Sequence, residues 1–347
     1  MTIVLKKIPE DFRVKETQAI HNLIGSDSGP FRHLSVRKKN YETFDVIAAL
    51  SSHYGIARQD ISFSGLKDKD GVTEQYVCVR CGEGERISPD GFNQKYYESD
   101  SAERFIHIRD AGPSDHELVV ADLLGNTFDT VVRSIDPALH EKLDAHDSAD
   151  FIFINYYDVQ RFGVPGGAKI THRIGEALEA EDYEQAIALI NRVGDSDDIA
   201  GNPIAHREEL FTRLDKRKIA FYLSSYSSFR WNASLQSMLT EGVAGDGLVH
   251  EDVEGVPFVY PKDIRAALPV ICKGNPYRYV RHVVKADRVV AVETTRPEFI
   301  QVIIRIGKPE HDEYHPGKLK CRFSFFLPSG CYATMALRQF MLQLEQA

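Results

Sequence analysis

The sequence predicts an α+β fold in which a sheet-forming domain is interrupted by a helix-rich insertion. Strand-like alternation of apolar residues is found in the N-terminal part of the chain and again near its C-terminus. Between these parts, the stretch from residue 144 to about residue 284 has mainly helical periodicity. We therefore predict one discontinuous domain of residues 1–150 and 300–347, with residues 151–299 inserted as a second domain.

The individual elements follow from the spacing of apolar residues along the chain. Alternation predicts strands over residues 3–5, 76–80, 105–108, 128–135, 299–306 and 322–327. Recurrence every three or four residues predicts helices over residues 43–54, 174–193 and 214–240. In the first helix the apolar positions are Ile47, Leu50 and Tyr54. Neither an internal repeat nor a low-complexity tract is present.

The composition is that of an ordinary globular protein. Hydrophobic residues make up 43% of the chain and charged residues 27%. The sequence has no apolar run of the ~20 residues that cross a bilayer, and its N-terminus has no signal-peptide pattern. Five cysteines in 347 residues predict no disulfide framework and fit a reducing compartment. We expect a cytoplasmic protein without a membrane partner.

The net charge of -9 argues mildly against a nucleic-acid partner, because phosphate attracts positive charge. Basic residues are nevertheless clustered at residues 37–39, 216–218 and 278–285. Most such clusters are solvated surface, but an acidic protein that carries them can still bind RNA. Net charge alone leaves the partner open.

The segment most suggestive of chemistry is the loop around Asp68. Gly65 begins a turn, Lys67 and Lys69 flank the aspartate, and an alternating strand follows. Catalytic groups are often carried by loops at the ends of strands. A carboxylate is ionised at neutral pH, as a nucleophile must be. One acid between two lysines is a common pattern, however, and its interpretation depends on the rest of the chain.

Four further segments combine turn residues with aromatic, amide or basic side chains. Phe128 fits either a core position or a ring that stacks on a nucleobase, an interaction worth ~1–3 kcal/mol. Asn126 fits a hairpin turn or a hydrogen bond to a base. Gln160 and Arg161 lie among aromatics, which suits nucleotide contact and equally suits a packed loop. The four segments are residues 9–16, 125–128, 155–163 and 327–334.

The serine-rich stretch 223–232 predicts a closely packed helix, with Arg230 and Asn232 facing a cleft as the alternative. Two other patterns resemble metal sites and are discounted. Cys78 and Cys81 would point to opposite faces of a strand, and the histidine pair at 311 and 315 is far from them in sequence, whereas a zinc site needs converging ligands. No nucleotide-binding glycine loop occurs. We expect neither a metal nor a cofactor.

The motifs, in this order, resemble those of the TruD family of tRNA pseudouridine synthases. The family motifs are Pro-Glu-Asp-Phe-x-Val-x-Glu, Gly-x-Lys-Asp followed by Thr-x-Gln, Gly-Asn-x-Phe, Asn-Tyr-Phe-Gly-x-Gln-Arg-Phe-Gly and Leu-Pro-x-Gly-x-Tyr/Phe-Ala-Thr. They match residues 9–16, 65–75, 125–128, 155–163 and 327–334. The resemblance covers nearly the whole chain. It implies a mixed-sheet catalytic domain of the pseudouridine-synthase type, split by an inserted TRUD domain that contributes to an RNA-binding cleft.

The resemblance implies a tRNA pseudouridine synthase, an isomerase that needs no cofactor because the reaction involves neither redox change nor energy input. Asp68 matches the catalytic aspartate. Lys6 matches a lysine that pairs with this carboxylate, and Lys67 is the alternative for that role. The aspartate attacks C1′ or C6 of the uridine, or assists a glycal route; the residues leave these alternatives open.

The resemblance also implies which residues bind the substrate. Phe128 matches the ring that stacks on the target uracil, and Asn126 matches the asparagine beside it. Lys67, Gln160 and Arg161 complete the predicted substrate-binding set. Position 13 of tRNA is the expected target, because members of the family often act there. No protein partner is implied, and we expect a monomer.

The chain departs from the family motifs at three places. Asp70-Gly71 stands where the family commonly has a basic residue or histidine followed by alanine. Asp158 replaces a glycine, and Arg230-Trp231 replaces Leu-Phe before Asn232. These changes bear on the RNA target more than on the reaction.

Two alternatives to the enzyme remain. A catalytically inactive tRNA-binding or chaperone protein on the same fold is the first, but it would not need Asp68 together with Phe128 and Asn126. The second is a hydrolase with a carboxylate nucleophile, which needs another carboxylate ~5–10 Å away. Asp70 is the only near candidate for that second carboxylate.

Overall fold

A computed structural model of the protein describes residues 3–19, 29–82, 87–98, 103–163, 167–194 and 201–346. The chain divides into two units: the first consists of Met1–Phe151 and Val302–Ala333, the second of Ile152–Gln301 and Thr334–Ala347. The C-terminal helix is therefore grouped with the second unit, whereas the sequence interpretation joined residues 300–347 to the first domain. No helix among the described residues is long and apolar enough to cross a membrane.

Fourteen strands are found in the described ranges, and ten of them form one mixed sheet with the order β5-β2-β4-β1-β6-β14-β12-β7 along its main path. β3 pairs with β4, and β13 with β14. β1 runs parallel to β4 and antiparallel to β6. The strands are β1 Phe12–Gln18, β2 Phe31–Lys39, β3 Ile61–Phe63, β4 Val72–Arg80, β5 Phe105–Ser114, β6 Leu123–Ile135, β7 Ser148–Ile154, β8 Leu248–Val253, β9 Val256–Pro261, β10 Val280–Lys285, β11 Arg288–Glu293, β12 Phe299–Ile306, β13 Glu310–His311 and β14 Leu319–Pro328.

The helices are concentrated in the second unit. Within the same ranges they are α1 Thr43–Tyr54, α2 Asp90–Asn93, α3 His140–Asp144, α4 Thr171–Glu179, α5 Tyr183–Val193, α6 Arg207–Arg213, α7 Lys216–Gly242, α8 Ile264–Lys273 and α9 Ala333–Gln346. The mixed sheet and this set of helices confirm the predicted α+β class.

The first unit has its core between the sheet and α1. The buried face of the helix carries Val46, Ile47 and Leu50, which share one apolar cluster with Val36 of β2 and Val77 of β4. At the start of the helix the Asp45 Oδ2 atom accepts from the N–H of Glu42 at 2.8 Å, and the helix ends at Gly55, whose φ of 70° suits a glycine. The observed helix has the bounds that the helical spacing of its apolar residues predicts.

A buried ionic cluster lies near the C-terminal end of β6. The Arg133 guanidinium donates to Asp11 at 2.7 and 2.9 Å and to Asp312 at 3.0 Å. The hydrogen bonds to Asp11 raise the pKa of Arg133 further above its ordinary value. Asp11, the acid of the first motif, therefore has an evident structural role. His315, one of the two histidines whose spacing was discounted as a metal site, also lies here, with its Nδ1 atom 2.7 Å from Asp312 Oδ2.

The second unit is built around the long helix α7. Gly175 of α4 approaches it so closely that a Cβ on this residue would lie 2.1 Å from the carbonyl oxygen of Tyr222. Four serines of α7, at positions 224, 225, 227 and 228, are buried. Their hydroxyls bond to neighbouring segments, as Ser224 does in accepting from the backbone N–H of His282 at 2.8 Å. The serine-rich stretch is thus a packing surface, as predicted.

Three predicted elements differ from the observed ones. The helix expected over 174–193 is two helices, because Glu181 has a φ of 58° and Asp182 caps the second helix through the N–H of Gln185. Residues 3–5 form no strand and contribute one bridge, between Val4 and Arg133. Gly125 and Asn126 lie within β6 rather than in a hairpin turn.

Candidate active site

Asp68 lies in the loop that connects β3 to β4. Its Oδ2 atom is 2.6 Å from the Nζ atom of Lys6, and the side chains are 38% and 22% exposed, respectively. Solvent can therefore reach the carboxylate while its charge is matched by one ammonium group. The structure brings together the two residues that the sequence assigned to catalysis.

Lys6 reaches Asp68 from an unusual backbone conformation. Its φ is 56°, in the left-handed region that is unfavourable for a residue with a Cβ. Its Nζ atom also lies 4.1 Å from the centre of the Phe12 ring, a favourable cation–π distance. Such backbone strain is typical of functional sites, and here it accompanies an ammonium shared between a carboxylate and an aromatic ring.

Lys67, the alternative partner of Asp68, is directed away from it. Its Nζ atom donates to Oε1 of Glu16 at 2.7 Å, and these side chains are 5% and 0% exposed. Glu16 is also bonded by the Ser64 hydroxyl at 3.2 Å and by the N–H of Tyr76 at 2.9 Å. Lys67 and Glu16, the glutamate of the first motif, therefore form a buried ion pair that supports the loop carrying Asp68.

The backbone of the loop is fixed at several further atoms. Thr43 Oγ1 accepts from the N–H of Lys67 at 3.0 Å and donates to Gln75 Oε1 at 3.1 Å. Gln75 Nε2 donates to the carbonyl of Gly65 at 3.4 Å. Gln75, the last residue of the Thr-x-Gln motif, thus helps to fix the loop that precedes Asp68.

Lys38 is the most prominent residue that the sequence interpretation missed. Its Nζ atom donates to the carbonyl oxygens of Tyr41, Lys67 and Asp68 at 2.8, 3.2 and 2.7 Å. The sequence groups it with Arg37 and Lys39 in a basic cluster, and such clusters are mostly solvated surface, yet Lys38 is fully buried. The period of two in β2 was the available signal, because it places Lys38 on the same face as Val36.

Phe128 and Asn126 lie on β6, in the centre of the sheet. The Phe128 ring is 6% exposed and lies stacked at 5.5 Å on Phe325 and tilted at 5.9 Å against Phe12. It is linked to the Asp68 pair through Phe12, the ring below the Lys6 ammonium. Asn126 is partly exposed, and its buried Oδ1 atom has no hydrogen-bond partner among the described residues. A substrate donor is one group that would satisfy it.

The glycine of the Gly-Asn-x-Phe motif is required by the neighbouring strand. A Cβ on Gly125 would lie 2.2 Å from the carbonyl oxygen of Leu327 on β14. Gly71, one of the departures from the family, is explained in the same way, because a Cβ there would lie 2.7 Å from the carbonyl of Phe12. An alanine at position 71 would thus require the backbone to shift.

The motif at 155–163 lies in the second unit and is mostly buried. Asn232 Nδ2 donates to the carbonyl of Tyr157 and its Oδ1 accepts from the N–H of the same residue, both at 2.8 Å. Asn232 therefore holds the backbone instead of facing a cleft. Asp158 is also explained locally, because its Oδ2 accepts from the Thr334 hydroxyl at 2.8 Å.

Of the two residues expected to face RNA, Gln160 is exposed and Arg161 is partly buried. Arg161 Nε donates to the Ser228 hydroxyl at 3.1 Å, and its guanidinium lies 5.3 Å from the centre of the Phe221 ring. Gln160 is thus open to a partner, whereas Arg161 is engaged within its own unit.

The described residues contain no group of histidine, cysteine and acidic side chains arranged to hold a metal. Cys78 is buried and Cys81 is partly exposed, and neither is part of a disulfide. The first unit carries an accessible carboxylate paired with an ammonium, aromatic rings, and a buried amide oxygen that has no hydrogen-bond partner among the described residues.

Comparison with known proteins identifies the family. Residues 1–200, more than half of the chain, match the model of the family described as tRNA pseudouridine synthase D (TruD). The chain belongs to the TruD family.

Individual TruD relatives are similar over different lengths. The chain is 25% identical to tRNA pseudouridine synthase D of Aquifex aeolicus over 398 aligned residues, covering 98% of both proteins. It is 28% identical to the human protein named Pseudouridylate synthase PUS7L, over 62% of this chain and 30% of that one. A crystal structure from Methanosarcina mazei, described as TruD, has a TM-score of 0.57 at 19% identity and covers 99% of this chain and 94% of its own. The structural likeness supports the pseudouridine-synthase fold.

Proposed function

We propose that this chain is a tRNA pseudouridine synthase that uses Asp68 as its nucleophile. The family and the name of the Aquifex aeolicus relative support the reaction and the tRNA substrate. The observation that carries the residue assignment is the Asp68–Lys6 ion pair, in which an accessible carboxylate has one matched charge. We further propose position 13 of tRNA as the target, the cytoplasm as the location and a monomer as the active form.

The reaction moves one bond of uridine without any net change in composition. The N1–C1′ bond breaks, the base turns, and C5 bonds to C1′. The hydrogen on C5 is released to solvent and N1 gains a proton. A carboxylate can add to the nucleoside at C1′ or C6 and leave again, and it thereby divides the isomerisation into smaller steps.

Lys6 would hold the Asp68 carboxylate in its reactive orientation. Its ammonium donates a hydrogen bond to the Asp68 Oδ2 atom at 2.6 Å. The cation–π contact with Phe12 limits the freedom of the same ammonium. We propose that Lys6 acts on the nucleophile and not on the base.

Asn126 and Phe128 would receive the extruded uracil. Flipping a base costs a few kcal/mol, which contacts in the pocket must offset. The buried Asn126 Oδ1 fits the N3–H donor of uracil. Stacking on Phe128 requires a neighbouring ring to move, since Phe325 and Phe12 cover most of the side chain.

The proposal is tested by incubating the purified protein with unmodified tRNA transcripts and identifying the nucleosides chromatographically after digestion. We expect uridine to be converted to pseudouridine without an added cofactor and in the presence of EDTA. Mapping of the product by reverse transcription after carbodiimide treatment is expected to give one site, at position 13. Tight tRNA binding without any pseudouridine would instead support the binding-protein alternative.

A further inference from the structure

Lys38 carries a buried charge that neither the family motifs nor the proposed reaction uses. Its side chain is 0% exposed, and its ammonium donates to the carbonyls of Tyr41, Lys67 and Asp68. An ammonium has three N–H donors, so each of them is used on one carbonyl. Two of these carbonyls belong to the nucleophile loop, and one of those two is the carbonyl of Asp68 itself.

The buried surroundings disfavour the charged form of Lys38. Burial, assisted by the nearby ammonium of Lys67, lowers the pKa of Lys38 to about 8. The carboxylates of Asp68, Asp45 and Glu42 act in the opposite direction. The charged groups that face Lys38 thus come from its neighbouring loop and from the start of α1, and Asp68 contributes most among them. A buried lysine in this setting is retained at a cost in folding.

We propose that Lys38 is a positioning residue for the isomerisation, which holds the backbone of residues 67 and 68 so that the Asp68 carboxylate stays at its reacting position. This inference rests on the proposed function. Lys6 and Lys38 then have separate tasks. Lys6 contacts the carboxylate, whereas Lys38 donates to the main-chain carbonyls behind it.

Loss of the proton from Lys38 would weaken this hold. A neutral amine has two N–H donors for three carbonyls, so one buried carbonyl loses its partner. The loop would then be free to shift, and a displacement of about 1 Å at a reacting group can cost about 10²-fold in rate. The expected effect is on the chemical step, because Lys38 is buried and does not face the RNA.

The test compares Lys38→Met, Lys38→Arg and the control Lys39→Met. Lys39 follows on the same strand, and its Nζ atom pairs with Glu10 at 2.5 Å. For Lys38→Met we expect kcat to fall by about 10²-fold with KM for tRNA changed by less than about threefold. Lys39→Met is expected to retain wild-type kcat. Circular dichroism and thermal melting establish that each variant is folded.

The pH dependence supplies a readout that a purely structural role would not move. Wild-type kcat is expected to decline as pH rises through about 8. Lys38→Arg keeps its charge throughout this range because the pKa of arginine exceeds about 12. Its kcat, even if lower, is expected to stay level to pH 9. Ionisation of the substrate is common to both proteins and cancels in the comparison.

A folded Lys38→Met protein with wild-type kcat would overturn the proposal. A wild-type kcat that stays level to pH 9 would also overturn it, and this second measurement stands even if both Lys38 variants fail to fold. An active wild type with an inactive Asp68→Asn variant and an unaffected Lys38→Met variant would reject the role of Lys38 alone. An inactive wild type would reject the proposed function itself.

Discussion

At the scale of single residues, the candidate site depends on three lysines that surround one aspartate. Lys6 is partly exposed and contacts the Asp68 carboxylate. Lys67 is buried and forms an ion pair with Glu16, and Lys38 is buried and donates to backbone carbonyls. Of these three lysines only Lys67 adjoins Asp68 in the sequence, and the sequence does not indicate where the side chains point. The family resemblance favoured Lys6 as the contact, and the structure places its Nζ atom 2.6 Å from the Asp68 Oδ2 atom. The hydrogen-bond partners of Lys67 and Lys38 distinguish the tasks of these two buried residues.

Lys6→Met is expected to reduce kcat by about 10–100-fold, because the nucleophile loses the group that orients it. Folding stability is expected to change by less than about 1 kcal/mol, since the pair is partly exposed and screened by water. Steady-state kinetics and urea denaturation measure the two effects. Lys7→Met, a change at the exposed neighbouring residue, is the control, and an equal loss of activity in both variants would contradict a specific role for Lys6.

Lys67→Met is expected to act on stability. It leaves Glu16, which is 0% exposed, as a buried carboxylate without its ammonium partner. Breaking one side of a buried ion pair typically costs about 3–5 kcal/mol. The measurement is the free energy of unfolding in urea. A loss below 1 kcal/mol would show that the pair contributes little, and the double variant Lys67→Met with Glu16→Leu should recover much of the loss.

At the scale of secondary structure elements, residues of several family motifs have structural roles: they hold the loop that carries Asp68 or allow two strands to pack closely. Glu16 holds Lys67, Gln75 holds the loop through Thr43, and Gly125 allows β14 to approach β6. The helix over Thr43–Tyr54 and the strand over Phe299–Ile306 were predictable because helical spacing and alternation of apolar residues are local signals. The break at Glu181 was not, because apolar periodicity continues on both sides of a single residue with positive φ.

Asn232→Ala in α7 tests whether the motif at 155–163 depends on a distant helix. The substitution removes both hydrogen bonds to the backbone of Tyr157, in a position that is 2% exposed. Each buried group left without a partner costs about 1–3 kcal/mol. We expect the free energy of unfolding to fall by about 2–4 kcal/mol on this basis. Ser237→Ala, at an exposed position of the same helix, should change it by less than about 0.5 kcal/mol.

At the scale of the whole molecule, charge distribution matters more than net charge. The chain has a formal charge of -9, yet the β10–β11 hairpin carries exposed basic residues at positions 281, 285 and 288, which follow exposed Arg278. Net charge could not decide whether the chain binds RNA, because a total over all residues does not show where basic residues cluster. The order of five motifs across the sequence was more informative than any property of its composition.

The double variant Arg281→Glu with Lys285→Glu is expected to raise KM for tRNA several-fold and to leave kcat unchanged, if the hairpin contacts phosphates. The dependence of binding on salt should weaken in parallel, since fewer counterions are released. Filter binding from 50 to 200 mM salt measures this. Arg265→Glu with Lys273→Glu, an exposed pair on α8 with the same change in charge, is the control, and equal effects in both doubles would contradict a specific contact.

The central claim is that Asp68 performs the isomerisation, and tritium release tests it most directly. Transfer RNA labelled with tritium at C5 of uridine loses the label to water when C5 bonds to C1′. We predict release by the wild type and by Asp70→Asn, whose exposed carboxylate lies two residues away, and none above background by folded Asp68→Asn. Release by Asp68→Asn at the wild-type rate would contradict the account.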